Sequence, residues 1–111
     1  MDQSNIPSDI QLMRAAAGNA AALLRALSNE DRLLILCQLS QGELSVGELE
    51  QCLDIRQPTL SQQLTVLRAE QLVSTRRDGK RIFYSIGDEK VLTLLNTLYQ
   101  LYCPILTEEE V

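Results

Sequence analysis

The sequence predicts a mainly helical domain that carries one small basic β-hairpin before its last helix, and three observations predict it. Leu60, Leu64 and Leu67 recur at i, i+4 and i+7 just after a short capped segment, which gives two helices joined by a brief turn. Two β-prone runs flank Asp78-Gly79, a strong two-residue hairpin turn. Long segments of helical apolar periodicity open and close the chain. Helix, turn, helix and basic hairpin describe a winged helix-turn-helix, in the order helix, helix, helix, helix, strand, strand, helix.

Residues 1 to 8 are polar and are expected to form a flexible N-terminus. A first helix is expected from Asp9, where DIQLMRAAAGNAAALLRAL is alanine-rich and spaces Met13, Ala17, Ala20, Leu24 and Leu27 at threes and fours. Its stripe of small residues needs another helix to cover it. Ser28 or Asn29 can cap a second helix, with Glu30 and Asp31 complementing the N-terminal dipole. The run LLILCQL is apolar nearly all round and belongs in the core, and Gly42 ends the helix. Ser45 and Glu48 fit a capping box that opens a third helix through about Cys52. Asp54 and Ile55 turn the chain into a fourth helix with Pro58 in its first turn. Strands are expected over 73 to 77 and 81 to 86. Asp88 can cap a last helix whose Val91, Leu92, Leu95, Leu98, Tyr99 and Tyr102 form a wide apolar face, ended by Pro104. The expected layout is one domain over residues 9 to 104 and an acidic tail over 105 to 111.

A chain of 111 residues supports one modest core. A small helical protein with spare apolar surface usually buries it in a second subunit, so a homodimer is expected. No stretch reaches the roughly 18 apolar residues of a membrane span, and the N-terminus lacks the pattern of a signal peptide. The protein is expected in the cytoplasm, away from membranes. Its three cysteines, Cys37, Cys52 and Cys103, are an odd number in a reducing compartment, which argues against a permanent disulfide framework. No cofactor motif is present, and a chain without histidine cannot assemble a nucleophile and histidine base, so an enzyme is not expected.

The net charge of -5 hides a local reversal. Residues 56 to 81 hold Arg56, Arg68, Arg76, Arg77, Lys80 and Arg81 against Glu70 and Asp78, while the segments on either side are net acidic. Exposed charges act over about a Debye length, roughly 8 to 10 Å, so those six cations can form a phosphate-binding field of their own. The outer face of the fourth helix carries amides and hydroxyls and no carboxylate before Glu70. Glutamine can pair with adenine, and serine or threonine with several base edges. Gln57, Thr59, Ser61 and Gln62 are therefore the expected base readers of double-stranded DNA, with the six cations on phosphates. A solvated charged face is the competing reading of those cations.

The runs LSNEDRLLILCQL, GELSVGELEQCL, QPTLSQQLTVLRAEQLV and RRDGKRIFYSI resemble the ArsR/SmtB family of repressors over about residues 15 to 103. The most specific parts are the L-S-x-x-L spacing from Leu60 to Leu64 and the wing. The resemblance implies a dimer built from the first and last helices, with the fourth helix as recognition helix. Gln63 stands where many members have histidine, and Arg56 where many have a helix-capping serine.

The resemblance also raises metal sensing, which the ligands do not favour. Ser45-Val46-Gly47 stands where soft-metal sensors carry Cys-x-Cys, and the zinc sensors' histidines are missing, so no metal site is expected. On spacing alone, Cys37 and Cys103 read as small buried hydrophobes. The phrases LLILC and LYCP, however, are similar to the BigR/HlyU-like branch, whose members sense persulfides or oxidants through such a pair and release DNA when it is bridged. That resemblance implies that Cys37 and Cys103 are redox sensors and that reactive sulfur species or oxidants are the inducers. Cys52 is read as packing. The open alternatives are cysteine thiolates holding arsenite or copper(I), and a winged-helix module that binds protein.

Overall fold

The computed structural model describes residues 2 to 103, with side chains from residue 9 onward. Its elements are α1 (Asp2–Leu27), α2 (Glu30–Leu39), β1 (Leu44–Ser45), α3 (Val46–Leu53), α4 (Thr59–Ala69), β2 (Val73–Asp78), β3 (Arg81–Ile86) and α5 (Glu89–Tyr102). The winged helix-turn-helix order holds, with one strand more than the sequence indicated. Leu44 and Ser45 pair with Tyr84 and Phe83, giving a three-stranded antiparallel sheet in the order β1-β3-β2. Two residues are too short to carry an alternating pattern, so no periodicity announces β1. The first helix begins at Asp2 rather than Asp9. The acidic tail and the helix stop at Pro104 lie outside the described residues.

Caps fix where the helices start. Asn29 accepts from the Arg32 N–H at 3.0 Å, Ser45 and Glu48 close a reciprocal capping box, and Asp88 accepts from the Lys90 N–H. Removing such a cap costs about 1 kcal/mol. Asp54 ends α3 with a left-handed φ of 57°, the conformation in which a short polar side chain is tolerated best.

The core is assembled from the faces that apolar spacing marks. Ile35 and Leu36 of α2, Leu49 of α3, Leu60, Leu64 and Leu67 of α4, and Val91 of α5 are buried together. Each such aliphatic side chain contributes about 1.5–3 kcal/mol of transfer free energy. The second helix is not buried all round. Leu34 and Cys37, three residues apart on one helical lane, are exposed in the single chain. Exposed apolar residues also mark α1, at Ile10, Leu12, Met13 and Leu24, and α5, at Tyr99, Leu101 and Tyr102.

The hairpin turn is one residue later than Asp78-Gly79. Asp78 pairs with Arg81, so the two-residue loop is Gly79-Lys80. Gly79 has a φ of 66° and takes the first central position, where a primed turn needs positive φ and glycine adopts it without strain. Gly87 has a different role, since a Cβ there would lie 2.8 Å from Ser74 Oγ and 3.0 Å from the Val73 backbone. Its N–H donates to Leu72 O at 2.9 Å, which ties the end of β3 to the start of β2.

Candidate DNA-reading face and thiol groove

The leucine stripe presses α4 onto the core and leaves its other side in solvent. Gln57, Ser61, Gln62 and Thr65 are exposed, and Thr59 is half-buried. Pro58 precedes the helix as its N-cap residue instead of lying in its first turn, and it offers no side-chain cap. Gln57 takes over that task. Its Oε1 accepts from the Ser61 N–H at 3.1 Å and from Ser61 Oγ at 2.7 Å. Thr65 Oγ1 donates to Ser61 O at 2.8 Å. Of the four expected base readers, Gln57 and Ser61 hold each other, and Gln62 projects with no side-chain hydrogen bond among the described residues. The first turn is thus pre-ordered by these hydrogen bonds.

The six cations divide into two groups. Arg76 makes a bidentate pair with Glu43, Nε to Oε2 at 3.0 Å and Nη2 to Oε1 at 2.7 Å. Arg81 lies 3.6 Å from Glu48 Oε2 and donates to Ser45 Oγ at 3.2 Å. Both guanidinium groups stack on Phe83, at 4.6 and 4.8 Å from the ring centroid. Strand alternation produces this arrangement, because Arg76 is registered with Phe83 and Arg81 lies two residues before it on the same face. The Arg76 guanidinium holds the Glu43 carboxyl below the usual range, and the Glu43 hydrogen bond holds Arg76 above its own. Glu48 is also held low, first by its bond from the Ser45 N–H in the capping box. Arg56, Arg68, Arg77 and Lys80 are exposed and form no ion pair among the described residues. Glu43, Glu48 and Phe83 were not expected at this site. Glu43 and Arg76 are far apart in sequence, and only the pairing of β1 beside β3 brings them together.

Cys37 and Cys103 converge. Both line one apolar groove of about 290 Å³, walled by Leu33 of α2 and by Leu95, Leu98, Tyr99 and Tyr102 of α5. Both cysteines are free thiols. Partial burial against the groove walls raises the thiol of Cys37, which is exposed in the single chain, above its ordinary value, and the charge of a Cys103 thiolate nearby raises it further. Cys103 sits just past α5, where its N–H donates to Tyr99 O at 2.7 Å and caps the last turn. Cys52 is exposed on α3 rather than packed, because the apolar face of that short helix is spent on Leu49 and Leu53. Among the described residues no three cysteine, aspartate, glutamate or histidine side chains cluster as metal ligands, and no helix is long and apolar enough to cross a membrane.

Comparison with known proteins gives consistent matches. Residues 29–75 match the family described as bacterial regulatory protein, arsR family. The biofilm growth-associated repressor of Agrobacterium fabrum is 48% identical over 103 residues, which cover 93% of this chain and 86% of that one. The transcriptional activator HlyU of Vibrio cholerae is 42% identical over 97 residues, covering 87% and 90%. The crystal structure of the transcriptional repressor BigR from Xylella fastidiosa superposes with a TM-score of 0.80 at 49% identity, over 84% of this chain and 95% of that one.

Proposed function

The chain belongs to the ArsR family of bacterial regulatory proteins, and we propose that it is a cytoplasmic repressor, dimeric on operator DNA, which lets go when Cys37 and Cys103 are bridged. The observation that carries the switch is the meeting of two cysteines, distant in sequence, in one apolar groove between α2 and α5. The exposed apolar residues of α1 and α5 support a homodimer built from those helices. The exposed face of α4 and the free cations Arg56, Arg68, Arg77 and Lys80 support binding to a DNA groove and its flanking phosphates.

The chemistry uses an organic hydropersulfide, RSSH, as oxidant. One cysteine thiolate attacks the outer sulfur, the S–S bond breaks, and RS⁻ leaves while the cysteine becomes a hydropersulfide that keeps the proton of RSSH. The second thiolate attacks the protein-bound sulfur of that group, forming the Cys37–Cys103 bond and expelling sulfide. Two thiols have lost two electrons, and the outer sulfur has gained them. Where a second RSSH first converts the other cysteine to a hydropersulfide and releases a second RS⁻, its terminal sulfur attacks the protein-bound sulfur of the first, expels hydrosulfide and leaves a trisulfide, which spans a wider gap than a disulfide tolerates. Either bridge pins α5 to α2 and alters the separation of the two recognition helices, which must match half-sites about one DNA turn apart.

A gel shift on the chain's own promoter region tests the reading. The reduced protein should bind, a persulfide donor should release it, and Cys37→Ser or Cys103→Ser should abolish the release while leaving reduced binding intact. Unchanged release in both variants would remove the sensor assignment. Failure to bind any promoter fragment at low salt would remove the DNA reading and favour a protein-binding module.

A further inference from the structure

Three helices meet at the guanidinium of Arg32, in the first turn of α2. Its Nε donates to Ala26 O at 2.6 Å and its Nη2 to Arg25 O at 3.3 Å, so it closes two carbonyls at the C-terminal end of α1. Its Nη1 donates to Gln63 Oε1 on α4 at 2.9 Å. Arg32 and Gln63 are both half-buried, and Arg32 borders a cleft that Val66 and Glu70 also line.

These contacts supply what the leucine stripe cannot. Burial of Leu60, Leu64 and Leu67 fixes which side of α4 faces the core, but apolar contact is non-directional and sets the fine rotation of the helix less sharply than a hydrogen bond does. A hydrogen bond from a planar guanidinium is directional and charge-assisted. Gln63 adjoins Gln62 and follows Thr59 by one turn, so holding Gln63 tunes the angle at which the outward edge of α4 is presented. Three acceptors around one rigid fork suit arginine, and lysine has no matching geometry.

We infer that Arg32 is the positioning residue of the recognition helix: through Gln63 it sets the fine rotation of α4 and hence the aim of Gln62 and its neighbours. The same helix α2 carries Cys37 further along, in the thiol groove. A sulfur bridge that moves α2 therefore acts on α4 through the same bond, an extension that rests on the thiol-switch reading.

The experiment uses the reduced full-length protein, a duplex selected by the wild type from random sequence, and a scrambled duplex of equal length. Arg32→Met and Gln63→Met should each weaken binding to the selected duplex about tenfold, the order expected for losing one charge-assisted bond. Binding to the scrambled duplex, set by cations that remain, should change less than about twofold. Gln63→Glu, which keeps an acceptor, should retain selectivity, and the double methionine variant should be no worse than either single one. Where Arg32→Met fails to fold, Gln63→Met carries the test, since it leaves both bonds to α1 in place. Equal losses on the two duplexes, or full selectivity in Gln63→Met, would overturn the inference. In the same assay a persulfide donor should release Gln63→Met less completely than the wild type, and equal release in both would overturn the link to the groove. A wild type that ignores the donor ends the thiol reading and that link together, while the selectivity ratio still decides the positioning claim.

Discussion

At the wing, Arg76 and Arg81 each face a carboxylate and share the ring of Phe83, whereas at the thiol groove Cys37 and Cys103 face leucines and tyrosines. The first region is a surface of compensated charge, open to water and to salt. The second is lined by apolar side chains, and its Cys37 thiol, open to solvent in the single chain, is pushed toward the neutral form first by partial burial. The two halves of the proposed switch therefore answer to different variables, ionic strength for DNA binding and pH for sulfur chemistry.

The largest expected effect separates those variables. With Arg56, Arg68, Arg77 and Lys80 free on each of two protomers, DNA affinity should fall roughly 10³- to 10⁵-fold between about 50 and 200 mM salt. The rate at which a neutral alkylating reagent modifies Cys37 should change less than about twofold over the same range, because an apolar groove offers salt little to screen. Fluorescence anisotropy and peptide mass spectrometry measure the two quantities. A thiol rate as steep in salt as the DNA affinity would erase the contrast.

The next effect lies in pH. Alkylation of Cys37 should rise about tenfold per pH unit, as the thiolate fraction does, and should continue rising past the ordinary thiol range because the folded-state value is raised. Stability should move in the opposite direction. An unfolded Cys37 ionises first, so its contribution to stability is intact below the ordinary thiol value and is lost as pH climbs through the raised one. A rate that levels off below the ordinary thiol range would show that the groove does not disfavour the thiolate.

The smallest effects are within the wing. Arg77→Ala should reduce the salt slope of DNA binding by about 1 for each phosphate that Arg77 neutralises, and Arg76→Ala should reduce it by less, since Glu43 already neutralises that side chain. Glu43→Gln should free Arg76 and steepen the slope. Equal slopes for Arg76→Ala and Arg77→Ala would mean that the Arg76 pair with Glu43 opens on DNA.

What the sequence revealed follows the range of the interaction. Caps at Asn29, Ser45 and Asp88, and the Leu60, Leu64, Leu67 stripe, depend on residues within a turn or two and were legible. The wing was legible too, although its loop slid to Gly79-Lys80, because Asp-Gly signals a turn without fixing which residue takes the first central position. Strand β1, the Glu43–Arg76 pair and the Arg32 clamp were not legible, since each needs residues brought together by the tertiary fold. Cys37 and Cys103 were singled out through family resemblance, and spacing alone would have left them as packing. For Cys52 that packing reading failed, because a short helix has room for only one buried lane.

The proposed switch requires sulfur chemistry to join α2 to α5 and thereby to empty the operator. Persulfide-treated protein, digested without reduction and mapped by mass spectrometry beside a parallel gel shift, tests this most directly. The expected result is a linked peptide containing Cys37 and Cys103, with or without extra sulfur atoms, appearing in step with loss of the DNA complex. Separate modified peptides with no linkage, or a linked pair in protein that still holds its DNA, would contradict it.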